Sequence, residues 1–398
     1  MSRKSPPDRR TNLSRDTKTS APIPINDPKR AFEELRDETE EAIRRVFESG
    51  GYIQGPEVDA LEKEIADYME VPHAVAVSSG TEALLLALTE LEIAPGDEVI
   101  VPAFTFVASG TTAARLGAKL VFADIDPVTF QMDPTALAAA ITPKTRAVVV
   151  VHLYGYPGPI HEYRRIAGDI PIIEDAAQAI GTRYFDVNRQ QLKHAGSECE
   201  WGCFSFYPTK NLPACGEAGL MITNDEQRAT RARQIRNHGM DALYRHALLG
   251  GNARMDGVQA AVLRVRLPHI ESWNNRRRDN AALYNRLFTE SGLTTRLEGF
   301  QLPATVPAGE VTNYHQYTLR VPQRDALHTN LQERGIATGV YYPIPLPRQP
   351  VFRHLGYSET DFPHSERCSE DVLSLPIHQF ISVTEVERVA KSIVEFYA

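Results

Sequence analysis

Long apolar runs are absent from the sequence, and none approaches the ~20 residues that a membrane-crossing helix needs. There is no basic excess, because 43 Lys and Arg stand against 51 Asp and Glu, which argues against nucleic acid as a partner. The N-terminal residues lack the apolar core of a secretory signal. The four cysteines have no metal-ligand spacing, so we expect reduced thiols and no metal site. These absences predict a cytoplasmic protein that binds neither membranes nor nucleic acid.

The chain is nevertheless long enough for more than one domain. Residues 1–24 are rich in Arg, Lys, Ser, Thr and Pro and have almost no large apolar side chains, which predicts a mobile tail. Residues 25–268 alternate short apolar runs with helical stretches, the first of them running from about residue 28 to Gly50. Residues 269–398 read as a smaller α+β domain, in which strand-like runs at 315–322 and 337–343 flank a helix.

Seven apolar runs of the larger domain are mostly continuous and β-branched, as in strands buried on both faces of a mainly parallel sheet. They are HAVAVSS (73–79), EVIVPAF (98–104), KLVFADI (119–125), AVVVVHLYG (147–155), PIIEDAA (171–177), CFSFYP (203–208) and GLMITN (219–224). The segments between them are long enough for crossover helices. The sequence therefore predicts a doubly wound α/β fold.

Lys210 follows the sixth of these runs, in the segment Ser205-Phe-Tyr-Pro-Thr-Lys210. A lysine at this place can form a Schiff base with an aldehyde cofactor if burial keeps its amine unprotonated. Taken alone, Lys210 is better interpreted as a surface lysine at the end of a strand. Its neighbours in the predicted fold decide between the two interpretations.

Asp175 ends the fifth run, where ligands bind in parallel α/β sheets. A buried carboxylate there can keep the pyridine nitrogen of pyridoxal 5′-phosphate protonated, although Asp175 also suits a helix N-cap. Gln178 lies three residues later and can hydrogen-bond the phenolic oxygen of that cofactor.

A phosphate seat is predicted at Ser79-Gly80-Thr81, where a strand ends and the helix TEALLLALTEL begins. The same residues also fit an ordinary N-cap. Ser205 can add a hydroxyl to that phosphate. Phe106, at the end of PAFTF, can stack on the pyridine ring or be a core aromatic.

From about residue 23 onward the sequence resembles the DegT/StrS-type nucleotide-sugar aminotransferases of pyridoxal-phosphate fold type I. The phrases that carry the resemblance are GYIQGPEVDALE, SSGTEALLLAL, GDEVIVPAFTFVAS, VHLYG, IEDAAQAIG, FSFYPTKNL, GLMITND, GGNARMDGVQAA and LSLP. It implies a seven-stranded sheet between helices, a cofactor Schiff base at Lys210 and a pyridine contact at Asp175. It also implies Gln178 near the phenolic oxygen, Phe106 against the ring, and a phosphate held by Gly80, Thr81 and Ser205.

The resemblance further implies a homodimer with shared sites, in which Asn252 of one subunit reaches the phosphate of the other. The implied amino donor is glutamate or glutamine, and the implied acceptor is a keto sugar on a nucleotide. The segment from Arg236 to Tyr284 looks most like members that aminate C3 of dTDP-linked 3-keto-6-deoxyhexoses. A C4-keto sugar or a cyclitol stays open as the acceptor.

Three segments depart from the family pattern. They are 211–219 after the lysine, 156–159 after VHLYG, and 342–347, in which Pro347 replaces the usual histidine. We expect these segments to line the acceptor side. Two other functions stay open: a dehydratase of the same fold, in which histidine replaces the lysine, and a regulatory protein without turnover.

Overall fold

The computed structural model describes residues 21–186 and 189–398. Its α-helices are α1 (Pro28–Glu34), α2 (Arg36–Ser49), α3 (Pro56–Met69), α4 (Gly80–Glu90), α5 (Ala108–Arg115), α6 (Pro134–Ala140), α7 (Ile160–Ala167), α8 (Glu226–Ile235), α9 (Gly257–Arg266), α10 (Ile270–Glu290), α11 (Leu293–Arg296), α12 (Arg324–Glu333), α13 (Pro363–Asp371) and α14 (Val383–Phe396). In this part of the chain no helix combines the length and apolar character needed to span a membrane.

The strands are β1 (His73–Val77), β2 (Glu98–Pro102), β3 (Lys119–Ala123), β4 (Thr145–Val151), β5 (Ile172–Asp175), β6 (Arg183–Asp186), β7 (Gln191–His194), β8 (Trp201–Ser205), β9 (Gly219–Thr223), β10 (Met240–Ala242), β11 (Arg245–His246), β12 (Tyr317–Arg320) and β13 (Val372–Leu375). One large sheet of the described residues has the order β1-β9-β8-β5-β4-β2-β3. Its strands pair in parallel except for β9, which is antiparallel to both neighbours. The seven predicted strands are these seven, so the predicted α/β fold is confirmed.

The parallel strands position the site because their carboxyl ends meet at one edge of the sheet. There β5 ends at Asp175, and β8, its parallel neighbour, ends at Ser205. Helix α4 begins at Gly80, directly behind β1. The strand interiors are apolar on both faces because helices pack on each side, with Val75 and Val101 in one core and Val148 in another.

The C-terminal part has a separate core of α10, α12, α14, β12 and β13. The predicted strand at 315–322 forms β12, but the one at 337–343 is wrong. Gly339 makes only a single bridge to Ser374, and the partner of β12 is β13. Prolines at 343 and 345 follow closely, and a residue that lacks an N–H cannot extend a ladder.

The N-terminal boundary also differs in detail. The predicted tail covered residues 1–24, and its first 20 residues lie outside the described residues. Ile23, however, is 1% exposed and forms a parallel bridge with Ile336 in the C-terminal core. Its apolar side chain anchors the end of the predicted tail. The helix expected from residue 28 to Gly50 is divided at Leu35, which separates α1 from α2.

We expect acid to destabilise the protein partly through His194 at the end of β7. Burial, with help from Arg183 and Lys193, lowers the pKa of His194 to about 4. Because this pKa is below the ordinary value, the neutral histidine contributes its full stabilisation above about pH 6.5, and that contribution falls as the pH approaches 4. At pH 4.5 the contribution of His194 to the free energy of unfolding is lower by about 2–3 kcal/mol than at neutral pH.

The measurement is Tm at pH 7 and pH 4.5 for the unaltered protein and for His194→Phe. The variant keeps a ring in the site beside Tyr68 but has no group to protonate. Its Tm should fall less than that of the unaltered protein. An equal fall in both proteins contradicts the prediction.

Candidate active site

A cavity of about 500 Å³ opens at the carboxyl edge of the large sheet. Seven of the eight candidate residues line it, although they come from segments up to 130 positions apart in sequence. They are Gly80, Thr81, Phe106, Asp175, Gln178, Ser205 and Lys210. Asn252 is the exception. The volume is within the range of about 300–1,000 Å³ that is typical of sites for small molecules.

Lys210 lies in the turn after β8, where its backbone N–H donates to the carbonyl of Tyr207. Burial lowers the pKa of the Lys210 amine to about 8, while the nearby carboxylate of Asp175 opposes that shift. About a tenth of the amine is therefore unprotonated at pH 7. The surface-lysine interpretation does not fit this environment, because a solvated amine keeps a pKa near 10.4.

Asp175 is 5% exposed at the end of β5. Ser109 Oγ donates to its Oδ2 at 2.7 Å, and the Ala177 N–H donates to its Oδ1 at 3.2 Å. Burial raises the pKa of Asp175, whereas these two hydrogen bonds and the charge of Lys210 act in the opposite direction. The carboxylate is thus held in a fixed orientation and lacks the solvation that an isolated charge would have.

The predicted phosphate seat lies at the first turn of α4. Ser79 caps the helix by accepting from the Glu82 N–H at 3.1 Å. The helix begins at Gly80, and Gly80 and Thr81 line the cavity. The first N–H groups of a helix have no partner within it and attract anions. A Cβ on Gly80 would be 2.7 Å from Ser205 Cβ, so glycine allows the helix to approach β8.

Gln178 and Phe106 complete the set, and both lie close to Tyr342. Gln178 Oε1 accepts from the Tyr154 N–H at 2.6 Å, and its Nε2 donates to Tyr342 Oη at 3.4 Å. Phe106 is 52% exposed, which excludes a core role, and its ring centroid is 6.0 Å from that of Tyr342. An aromatic face is thereby available at the cavity.

Asn252 is exposed and lies outside the cavity, and its Oδ1 accepts from Arg254 Nε at 3.1 Å. It lines a smaller pocket together with Ser78 and Glu217. Because Glu217 also lines the main cavity, the two pockets adjoin. Within one chain, therefore, Asn252 does not meet the other candidates.

Sequence reasoning missed His315, which lines the cavity, and Ser109, a buried residue whose hydroxyl orients Asp175. His315 and Tyr342 come from the C-terminal part and lie far from Lys210 in sequence. Of the three departing segments, 211–219 brings Glu217 to the cavity and 342–347 brings Tyr342. Pro347 does not line the cavity and is buried in a 3-10 helix, Leu346–Arg348.

These residues fit pyridoxal phosphate. A half-buried amine, a buried carboxylate, an exposed aromatic face and a helix N-terminus line one cavity. They match the aldehyde, the pyridine nitrogen, the ring and the phosphate of that group. Gly80 keeps the phosphate end open, since any larger residue would displace Ser205 or the helix.

Comparison with known proteins gives consistent similarities. The model of the DegT/DnrJ/EryC1/StrS aminotransferase family matches residues 33–394. The dTDP-3-amino-3,4,6-trideoxy-alpha-D-glucose transaminase of Streptomyces venezuelae is 43% identical over 94% of this chain and 96% of that protein. A pleiotropic regulatory protein of Geobacillus stearothermophilus is 41% identical over 94% of this chain and 98% of that protein. The crystal structure of S. venezuelae DesV in complex with a ketimine intermediate has a TM-score of 0.89 and 42% identity, with 95% of this chain and 99% of that chain covered.

The close approach of Gly80 to Ser205 predicts that Gly80→Ala weakens cofactor binding. The added methyl group must move the start of α4 or β8 by several tenths of an ångström, which displaces the N–H groups of the seat. We expect at least about tenfold weaker uptake of pyridoxal phosphate, measured by titration of the stripped protein and followed by its visible absorption. Circular dichroism should stay unchanged, and unaltered affinity contradicts the placement of the phosphate.

Proposed function

The chain belongs to the DegT/DnrJ/EryC1/StrS aminotransferase family, and from that premise we propose that it transfers an amino group from glutamate or glutamine to a nucleotide-linked keto sugar. The observation that carries the proposal is the half-buried Lys210 and the buried Asp175 in one cavity, with a helix N-terminus beside them. An amine of lowered pKa and a shielded carboxylate are the two groups that amino-transfer chemistry requires of the protein.

Pyridoxal phosphate is the cofactor, and when bound it supplies an aldehyde carbon and an electron-withdrawing ring. In our proposal Lys210 Nζ holds the cofactor at rest and, once released, moves a proton to and from the amino-bearing carbon of the donor. Asp175 holds the proton of the pyridine nitrogen, and Ser109 keeps its carboxylate oriented. Gln178 lies near the phenolic oxygen, Phe106 against the ring, and Gly80, Thr81 and Ser205 around the phosphate.

For the acceptor we propose a dTDP-linked 3-keto-6-deoxyhexose. The S. venezuelae relative is named for a dTDP sugar with a 3-amino group and matches nearly the whole chain, which supports amination at C3. The cavity is lined by the rings of Phe106, Tyr207 and Tyr342, which suit the faces of a sugar or a base. A C4-keto sugar and a cyclitol are the alternatives that an acceptor screen should include.

We place the active unit as a homodimer in the cytoplasm. Asn252 is exposed beside the pocket that adjoins the cavity, where a second subunit can approach it. Apolar side chains near these pockets are also exposed: Ile53 at 48%, Phe106 at 52% and Tyr207 at 47%. Large exposed apolar groups at one place are typical of an interface. The cysteines of the described residues are free thiols, which supports a reducing compartment.

The Geobacillus relative is named as a regulatory protein, so a protein that binds the cofactor without turnover is the second candidate. The full set of chemical groups in the cavity favours the enzyme. The visible absorption of the bound cofactor distinguishes the two, because an aminotransferase should lose it on addition of glutamate or glutamine. A yellow protein indifferent to every amino donor would be the regulator.

Lys210→Ala should abolish transamination, because the amine that holds the cofactor and moves the proton is gone. Activity should fall by at least about 10⁴-fold, while pyridoxamine phosphate still binds to the helix seat. The measurement is 2-oxoglutarate release with a panel of nucleotide keto sugars. Substantial residual turnover in this variant refutes the role of Lys210.

Shared sites predict complementation between two inactive variants. In a mixed dimer of Lys210→Ala with Asn252→Ala, one site receives the intact lysine from one chain and the intact asparagine from the other. After co-expression of the two chains, we expect about a quarter of full activity, since about half of the dimers are mixed and each has one intact site. No recovery above the separate variants would argue against sharing.

A further inference from the structure

His315 differs from the other buried histidines of the described residues. His152 uses both ring nitrogens, one with Glu174 and one with the Gly158 N–H. His194 and His378 have both nitrogens sealed inside the protein. His315 instead has one nitrogen bonded to the protein, is 8% exposed, and lines the cavity that contains Lys210.

A chain of hydrogen bonds determines which nitrogen of His315 carries the proton. Asn274 Nδ2 donates to the Ile180 carbonyl, so its Oδ1 is the acceptor for Asn211 Nδ2 at 2.8 Å. Asn211 Nδ2 also donates to the Asn313 carbonyl at 3.1 Å, so its Oδ1 accepts from His315. The bond of 3.0 Å between His315 Nδ1 and Asn211 Oδ1 therefore requires a proton on Nδ1.

The other nitrogen, Nε2, is consequently unprotonated. Within residues 21–186 and 189–398 it has no hydrogen-bond partner, and it is not among the sealed polar atoms. Since His315 lines the cavity, this lone pair is reached from the cavity. It is an acceptor placed in the compartment of the reactive amine.

Burial keeps His315 neutral, because it lowers the pKa of the ring well below its ordinary value. Arg277 of α10 and the protonated form of Lys210 act in the same direction. Arg277 also donates to the carbonyls of Tyr314 and His315 at 3.2 and 3.3 Å, which holds this loop in place. A nitrogen that stays unprotonated across the working pH range is suited to accept a hydrogen bond from an amine.

We infer that His315 is a positioning residue of the amino transfer, whose Nε2 accepts a hydrogen bond from Lys210 when the lysine is released from the cofactor. The bond directs the remaining lone pair of Lys210 Nζ toward the carbon that exchanges its proton. The proton moves only between that carbon and Lys210, and His315 keeps its single proton on Nδ1 throughout. This inference rests on the proposed function and adds a residue from the C-terminal part to it.

Two substitutions separate the nitrogens of the ring. His315→Asn keeps a donor near Nδ1 for Asn211 but removes the acceptor at Nε2, whereas His315→Gln places an amide oxygen near Nε2. We expect His315→Asn to lower kcat about 10- to 100-fold with the KM of the amino donor nearly unchanged. His315→Gln should recover most of that loss.

A second readout does not use turnover. The stripped protein takes up pyridoxal phosphate through the unprotonated Lys210 amine, so the pH at which uptake slows on the acid side reports the pKa of Lys210. An acceptor stabilises the ammonium form and raises that pKa. In His315→Asn the pH at which uptake slows on the acid side should therefore fall by about one unit. In His315→Gln this pH should stay near that of the unaltered protein.

Nitrogen NMR of the unaltered protein with ¹⁵N-labelled histidine tests the inference without any substitution. The expected signal is a neutral ring with the proton on Nδ1 at pH 6, and a proton on Nε2 overturns the inference. The inference is also overturned if both variants have a lower Tm and lower activity while the pH at which cofactor uptake slows on the acid side stays unchanged. A normal kcat in His315→Asn overturns it as well. These outcomes leave the proposed function intact, because that function is tested separately by Lys210→Ala and by the response of the bound cofactor to amino donors.

Discussion

The pair formed by Lys210 and Asp175 is the constraint on which the rest of the site depends. Burial drives the amine and the carboxyl toward their neutral forms, while their mutual attraction favours the charged ones. The balance leaves a reactive amine with a pKa of about 8 and a carboxylate held by Ser109. At the protein surface neither group would have a shifted pKa. The apolar strands that exclude water from them are therefore needed for their reactivity.

The second requirement is a close approach between backbone segments. Helix α4 starts directly against β8 and β9, where a Cβ on Gly80 would meet Ser205 at 2.7 Å and one on Gly219 would meet the Ser79 carbonyl carbon at 2.3 Å. This contact sets the distance between the helix N-terminus and the turn that holds Lys210. The antiparallel β9 makes the approach possible because it pairs with both β1 and β8 and so connects the two ends of the site.

The C-terminal part completes the cavity instead of merely covering it. His315 and Tyr342 reach the cavity from loops that are held by α10 and by Tyr154, whose hydroxyl donates to the Tyr341 carbonyl. Behind these loops Arg277 is almost fully buried, donates to the carbonyls of Tyr314 and His315 and to the side-chain oxygen of Gln379, and has no carboxylate partner among the described residues. Fixed carbonyls can hold such a cation in place, and a fixed loop allows a single side chain to be aimed at the amine.

Local pattern by itself determined the strands of the large sheet, because runs such as AVVVV at β4 are apolar at every position and can only be buried on both faces. It also identified Lys210, Asp175 and the start of α4, which follow those strands directly and so share one edge of the sheet. The tertiary structure alone decided that Phe106 faces the cavity, that Tyr341 and Tyr342 line it from a segment that forms no strand, and that His315 lines the same cavity as Lys210. Such contacts connect residues more than a hundred positions apart, and no local periodicity records them. The proposed role of Asn252 likewise depends on a second chain, which no pattern within one chain records.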